Sequence, residues 1–247
     1  MRIDDKKWYA HWFDTPHYHK LYKHRDEEEA AFFMNNLVKK LDLKCGKHIL
    51  DVACGRGRHA NFLNKIGFEV TGIDLSANNI AFAEQYANES LHFKRQDMRK
   101  ALPTKFDAIF NLFTSFGYFE DDEDNLMVLK AFKKQLKPKA CSVIDFVNKN
   151  HVQKNLVKEE NKLVDGINFY IKRRIDNRYI YKDISFEAEG QCFNFTERVR
   201  AFELADFERF FNQLELNLVN VFGDYQLADF DLTESPRMIL IVNRADE

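Results

Sequence analysis

A chain of 247 residues with a formal net charge of −2 suits one domain plus an insertion and is long enough for a substantial core. Its 24 Phe make that core aromatic, and a pI near 6.5 supplies no global basic field to hold a nucleic-acid backbone. Cys45, Cys54, Cys141 and Cys192 form no C-x-x-C pair and no zinc spacing, so packed thiols in a reducing compartment are expected, and no metal site.

The N-terminal segment is aromatic. Trp8, Tyr9, Trp12, Phe13, Tyr18 and Tyr22 crowd into fifteen residues, along with His11, His17 and His19 and with His24 just after. These histidines lack metal-ligand spacing and are expected at the surface or in caps. Residues 27–41 predict an amphipathic helix, with Asp26 as N-cap, acids in the first turn and lysines in the last. Strands and helices then alternate: strand 48–53, helix 57–66 ended by Gly67, strand 68–73, and helix 77–88 capped by Ser76. Strands 91–96 and 106–112 follow on either side of Leu102-Pro103, then helix 122–137 stopped by Pro138, then strand 140–147. Repeated βα units argue for a parallel sheet with helices on both faces.

The pattern changes after Asn148. Period-2 segments at 166–174, 179–188 and 191–200, with turn chemistry at Asp176-Asn177 and Glu189-Gly190, predict a three-stranded antiparallel insertion. Lys172-Arg173-Arg174 reads as a solvated strand end. A helix over 203–213, with Phe207, Phe210, Phe211 and Leu214 at helical spacing, and strands 216–223 and 238–244 close the chain.

One run is more specific than the rest. His48-Ile49-Leu50-Asp51-Val52-Ala53-Cys54-Gly55-Arg56-Gly57-Arg58-His59 reads as a buried strand breaking into a glycine turn that opens a helix, and Asp74 ends the next strand. Glycines let the backbone pass close to a ligand, and an acid about 20 residues on can accept from ribose hydroxyls. With only two glycines this is not the dinucleotide fingerprint. It resembles D-x-x-x-G-x-G, motif I of the class I S-adenosylmethionine-dependent methyltransferases. The match covers 48–147 well and 201–244 in outline.

The resemblance implies a Rossmann-like α/β fold with a seven-stranded sheet, helices on both faces and an antiparallel β insertion. It divides the chain into an N-terminal aromatic lid and helix (1–41), a cofactor-binding core (42–147), an insertion forming a substrate flap (148–200) and a completion of the core sheet (201–247). It also implies S-adenosyl-L-methionine as cofactor. Asp51 would sit near the methionine amino group, with the turn through Ala53, Gly55 and Gly57 beneath the ligand. Asp74 would clamp the ribose and Leu75 pack on the adenine. Asp97 and the Met98 amide would meet the adenine edge, and the Leu112 carbonyl the methionine ammonium. Tyr9, Tyr22 and Arg25 are lid candidates for the methionine carboxylate or for closing the site. Phe116, Tyr118 and Tyr170 are expected to line the substrate pocket. No general base announces itself, and Tyr118 and His151 are the candidates.

The expected activity is methyl transfer to nitrogen or oxygen of a small metabolite. An RNA or protein methyltransferase loses ground without an N-P-P-Y or D-P-P-Y motif or a basic domain. A NAD-dependent oxidoreductase lacks its third glycine, and a non-catalytic S-adenosylmethionine-binding protein is a further alternative. The acids from Glu120 to Asp124 read as a solvated helix start that would repel a phosphate chain at the mouth, so an amine-bearing substrate is favoured over an anionic one. Charges from Arg2 onward, and no run near the ~18 apolar residues of a membrane span, lead to the expectation of a cytoplasmic monomer or homodimer with no nucleic-acid or membrane partner.

Overall fold

The chain opens with two short helices, α1 (Trp8–Trp12) and α2 (Pro16–Leu21), and a longer α3 (Glu27–Lys40). The structure, a computed structural model, describes residues 8–23 and 27–245. Arg25 and the expected cap Asp26 lie outside the described residues. α2 starts where the Thr15 hydroxyl accepts from the Tyr18 amide at 3.1 Å, with Pro16 in the first turn, where a missing amide costs nothing. α3 buries Ala30, Phe33, Met34 and Leu37, an apolar stripe at helical spacing.

The core follows as β1 (His48–Val52), α4 (Arg58–Lys65), β2 (Glu69–Asp74), α5 (Ala77–Ala83), β3 (Leu91–Arg95), β4 (Phe106–Asn111), α6 (Asp122–Gln135) and β5 (Leu136–Val147). Next come α7 (Lys149–Lys154), β6 (Glu159–Val164), β7 (Ile167–Ile175), β8 (Tyr179–Ala188) and β9 (Gln191–Arg200). The chain closes with α8 (Leu204–Gln213), β10 (Leu216–Phe222) and β11 (Arg237–Arg244).

Seven strands form one sheet in the order β10-β11-β5-β4-β1-β2-β3, matching the expected seven-stranded sheet. β1 to β5 are parallel, and β11 runs antiparallel between β5 and β10. The chain leaves β1 towards β2 on one side and later returns to β4 on the other. That reversal opens a crevice beyond the carboxyl ends of β1 and β4, where ligands bind in sheets of this kind. β4 is buried almost throughout, as a parallel strand covered on both faces must be. Phe33, Leu63 and Phe110 belong to one buried layer, and Phe132, Phe146 and Phe207 to the other.

The insertion is a four-stranded antiparallel sheet, β6-β7-β8-β9, not the expected three strands. The missed strand β6 begins Glu-Glu-Asn-Lys and alternates only weakly in burial, so no apolar period marks it. Its turn, Asp165-Gly166, has both residues at positive φ (49° and 78°), the geometry that lets a two-residue hairpin follow the strand twist. The inner face of this sheet packs Ile167, Phe169, Ile171, Ile184 and Phe186 against Trp8, Trp12 and Leu21 of α1 and α2. The aromatic N-terminal segment is therefore apolar cover for the second sheet.

Two helix ends also differ from expectation. α6 stops at Gln135 and β5 begins at Leu136, so Pro138 lies inside an irregular start of β5. Between their paired positions β4 advances from Phe106 to Ala108 while β5 advances from Leu136 to Cys141, with Lys139 at φ 60°. The helix predicted over 77–88 is α5 followed by a 3₁₀ turn, Glu84–Tyr86.

Candidate functional site

At the carboxyl end of β1 the backbone turns sharply. Ala53, Gly55 and Gly57 all have positive φ (59°, 55° and 81°), and only the first of them bears a side chain. The two glycines do different work. A Cβ at Gly55 would meet nothing within 4 Å, so this residue leaves space open, and it borders the cavity. A Cβ at Gly57 would lie 2.8 Å from the Phe93 ring and 3.2 Å from Ala83, so Gly57 lets α4 close on β3 and α5. Gly57 is not among the residues that line the cavity.

Asp74 ties this turn to the next one. Its Oδ2 accepts from the Gly55 amide at 2.9 Å and its Oδ1 from the Ser76 amide at 2.8 Å. The Ser76 hydroxyl in turn accepts from the Asn79 amide, capping α5 as the sequence predicts. Burial raises the Asp74 carboxyl above its ordinary range against these amide bonds.

Asp51 is more extreme. Burial pushes its carboxyl up to about 7, against the lowering effect of a hydrogen bond from the Ala60 amide. Its Oδ2 is buried and has no partner among the described residues, yet the residue borders the cavity. A buried acceptor left unmade is costly, and such groups mark places where something else supplies the donor.

The cavity has a volume of about 950 Å³ and extends from the turn after β1 to the inner face of the second sheet. This is the upper end for small-ligand pockets, roughly 300–1,000 Å³. Asp51, Ala53, Gly55, Asp74, Leu75, Asp97, Met98, Leu112, Tyr9, Tyr22 and Tyr118 all line it, so most of the residues singled out from the sequence converge here. Leu75 is 40% exposed, an apolar plate left open at the strand end. Asp97 is already engaged. Burial works to raise its carboxyl, but hydrogen bonds from Arg99 (Nη2 at 2.6 Å) more than offset this and hold it below its usual range. Ser115 donates to the Leu112 carbonyl at 2.7 Å.

Four expectations fail on geometry. Phe116 is fully buried, packed on Phe202 and Phe207 beneath the loop, because Tyr118 takes the position facing the cavity. Tyr170 is 49% exposed and lies outside the cavity lining, since its parity on β7 is opposite to that of Ile171 and Arg173. His151 also lies outside that lining and is bound to the Glu234 carbonyl at 2.8 Å. Four of the five acids from Glu120 to Asp124 are matched by cations: Glu120 by Arg198, Asp122 by Arg200 and Arg209, Glu123 by Lys130, and Asp124 by Arg99. They therefore give the mouth little negative field.

Other lining residues carry no local sequence signal. His19, expected at the surface, lines the cavity, bonds the Asn79 side chain at 3.0 Å, and is lowered to about 4, chiefly by burial. His59 stacks on Phe113 at 5.0 Å and is held well below its ordinary range by burial and by Arg58. Arg173, read as a solvated strand end, faces inward. Phe113 and Thr114 follow β4 with φ of 57° and 58°, two consecutive left-handed residues that cost energy. Asp145, wholly buried at the end of β5, holds them: its Oδ2 accepts from the Phe113 amide at 2.8 Å and its backbone carbonyl from the Thr114 amide at 2.9 Å. Arg237 completes the arrangement, donating to Asp145 at 2.7 Å and to the Thr114 hydroxyl at 2.9 Å.

The core resembles known proteins in sequence and in fold. Residues 49–139 match the methyltransferase domain family. That match covers less than half of the chain. Curated relatives include YqeM of Bacillus subtilis (38% identity over 101 residues; 39% of this chain and 41% of that one). A second is the dTDP-3-amino-3,4,6-trideoxy-alpha-D-glucopyranose N,N-dimethyltransferase of Streptomyces venezuelae (31% over 99 residues; 39% and 41%). The chain spans less than half the length of these relatives. Among solved structures, an S-adenosylmethionine-dependent methyltransferase of Clostridium acetobutylicum superposes with a TM-score of 0.78 at 22% identity, covering 92% of this chain and 96% of that one. The amino pentose methyltransferase CalS10 of Micromonospora echinaspora gives 0.72 at 18%, covering 93% and 97%. At such identities these structures share the methyltransferase domain's fold. Among the described residues no helix is long and apolar enough to cross a membrane.

Proposed function

We propose that the protein is an S-adenosylmethionine-dependent methyltransferase acting on nitrogen or oxygen of a small metabolite. The observation that carries this reading is the buried Asp51 carboxylate, whose unpartnered Oδ2 belongs to a cavity shared with open Gly55 and with Asp74. The donor set fits the cofactor. Asp51 and the Leu112 carbonyl would hold the methionine ammonium, and Asp74, fixed by two amides, would accept from the ribose. Leu75 would pack on the adenine face, with Asp97 and the Met98 amide at its edge. When bound, S-adenosylmethionine supplies a methyl group already activated by its sulfonium.

The chain's own work is then alignment and exclusion of water. Trp8, Phe13 and Tyr118 meet within 5.3–5.4 Å, and Tyr9 stacks on Tyr118 at 6.1 Å, forming an aromatic wall between the two ends of the cavity. Aromatic faces favour a cation beside them. His19 and His59 are held neutral and low, which makes both poor bases. An amine acceptor, which needs little help in losing its proton, suits this cavity better than a hydroxyl. The reading assigns residues 42–147 and 201–247 to the cofactor and 148–200, with the N-terminal aromatics, to the acceptor. The free cysteines support a cytoplasmic setting, and the chain is read as a monomer or a homodimer.

Calorimetry tests the proposal. S-adenosylmethionine is expected to bind and NAD not to. Asp74→Ala should weaken cofactor binding by roughly 1–3 kcal/mol through loss of charge-assisted hydrogen bonds. Binding of NAD, or unchanged affinity in the variant, refutes the assignment. Salt-sensitive labelling of bulk tRNA, with no metabolite amine accepted, would refute the small-molecule class.

A further inference from the structure

The inner face of the second sheet changes character along its strands. At one end it is apolar and covered by α1 and α2; at the other it carries charges that border the cavity. Arg173 on β7 stands directly opposite Lys182 on β8, and Lys182 directly opposite Glu197 on β9. Glu160 on β6 accepts from Arg173 Nη2 at 2.5 Å, and Lys162 lies two residues along the same face.

Folding contacts hold parts of this row: Arg173 pairs with Glu160, and Lys182 donates to the Tyr22 hydroxyl at 2.5 Å and lies 4.3 Å from the centre of its ring. Like charges directly opposed across a ladder destabilise it, and Arg173 is only 26% exposed. Glu197 is committed to the N-terminal segment, accepting from Trp12 Nε1 at 2.6 Å and from the Tyr22 hydroxyl at 2.7 and 2.8 Å. Arg198, also at the cavity, is matched by Glu120 at 2.5 Å. Three cations, Lys162, Arg173 and Lys182, therefore gather around Glu160, whose carboxyl they hold below its ordinary range, Arg173 first through its hydrogen bond. A guanidinium fork beside two ammonium groups matches the oxygens of a multiply charged anion.

We infer that Lys162, Arg173 and Lys182 form a subsite for an anionic group on the methyl acceptor, carried as phosphate or carboxylate oxygens. This reverses the expectation, drawn from the acidic run after Tyr118, that the mouth repels anions. It rests on reading the cavity as the acceptor site. The acceptor would then carry a negative group at the second sheet and its nucleophile at the aromatic wall.

The test uses the full chain saturated with S-adenosylmethionine, so that cofactor binding is established first and separately by calorimetry. Inorganic pyrophosphate and citrate are the probes. The readout is fluorescence of the chain's two tryptophans, Trp8 and Trp12, of which Trp8 lines the cavity. Saturable binding of either probe is expected, weakening with salt and falling about tenfold or more in Arg173→Gln. Lys162→Gln, a milder change on the edge strand, should fall in the same direction while cofactor affinity stays constant in both variants. Preference for pyrophosphate or for citrate tells a phosphate from a carboxylate source. If a protein that binds its cofactor takes up neither anion, or if both variants bind the anion as the parent does, the subsite is refuted while the methyltransferase reading stands. Loss of cofactor binding in the unmodified chain would instead refute that reading.

Discussion

Replacing Asp51 by Asn separates what the fold needs from what the site needs. Asn keeps an acceptor for the Ala60 amide but removes the charge. The native carboxyl is raised from 3.8 to about 7 by burial, so the unfolded chain releases its proton about three pH units before the folded one does. Below about pH 4 both states are protonated and the group contributes nothing. As pH rises, the folded state loses about 1.4 kcal/mol per unit relative to the unfolded state, until the native group ionises near pH 7. The accumulated cost is about 4 kcal/mol, of which about 2–3 falls between pH 5 and pH 8. Asp51→Asn should therefore stabilise the ligand-free protein, and by about 2–3 kcal/mol more at pH 8 than at pH 5. The same variant should bind S-adenosylmethionine poorly, because the ammonium loses its charged partner. In the parent, affinity should rise as pH climbs through 7. Urea unfolding at pH 5 and pH 8, with and without cofactor, reads both effects. A pH-independent change in stability, or a variant that binds cofactor as tightly as the parent, would show the reasoning to be wrong.

Gly57→Ala should destabilise the fold by roughly 1–3 kcal/mol, from positive φ and the collision with Phe93, whereas Gly55→Ala should cost stability about 1 kcal/mol or less and act mainly on cofactor affinity; thermal melts and calorimetry distinguish them. Arg237→Met leaves Asp145 a buried, uncompensated charge and should cost roughly 3–5 kcal/mol in urea unfolding, with Arg237→Lys recovering part of it. Tyr170→Ala lies outside the cavity and should change stability by no more than about 0.5 kcal/mol, with methyl transfer unaffected. A large loss of turnover there would restore Tyr170 to the site.

The turn after β1 was legible because it is built from local pattern. A buried strand, a glycine turn and a helix must follow one another in sequence, so Asp51, Gly55 and Asp74 could be placed at or near strand ends, and the repeated βα units pointed to a parallel sheet, whereas the order of its strands came from the fold. The roles of neighbours were not legible. Gly55 and Gly57 look alike in sequence, and only the approach of Phe93 to one of them separates an open turn from a packing contact. Phe116 and Tyr118 differ by two positions, and the loop geometry alone decides which is core and which is wall. β6 was missed because an edge strand with few buried residues carries no apolar period. Arg173, Lys182, Glu197, His19 and Arg237 come from segments far apart in the chain. Charge in a sequence says nothing about partners, and four of the five acids from Glu120 to Asp124 are matched by arginines and a lysine that only folding brings beside them. Short-range hydrogen bonding and burial period are written along the chain, while electrostatic balance is a property of side chains that meet in three dimensions. That is why the turn after β1 could be read from the sequence, and the charged end of the cavity only from the fold.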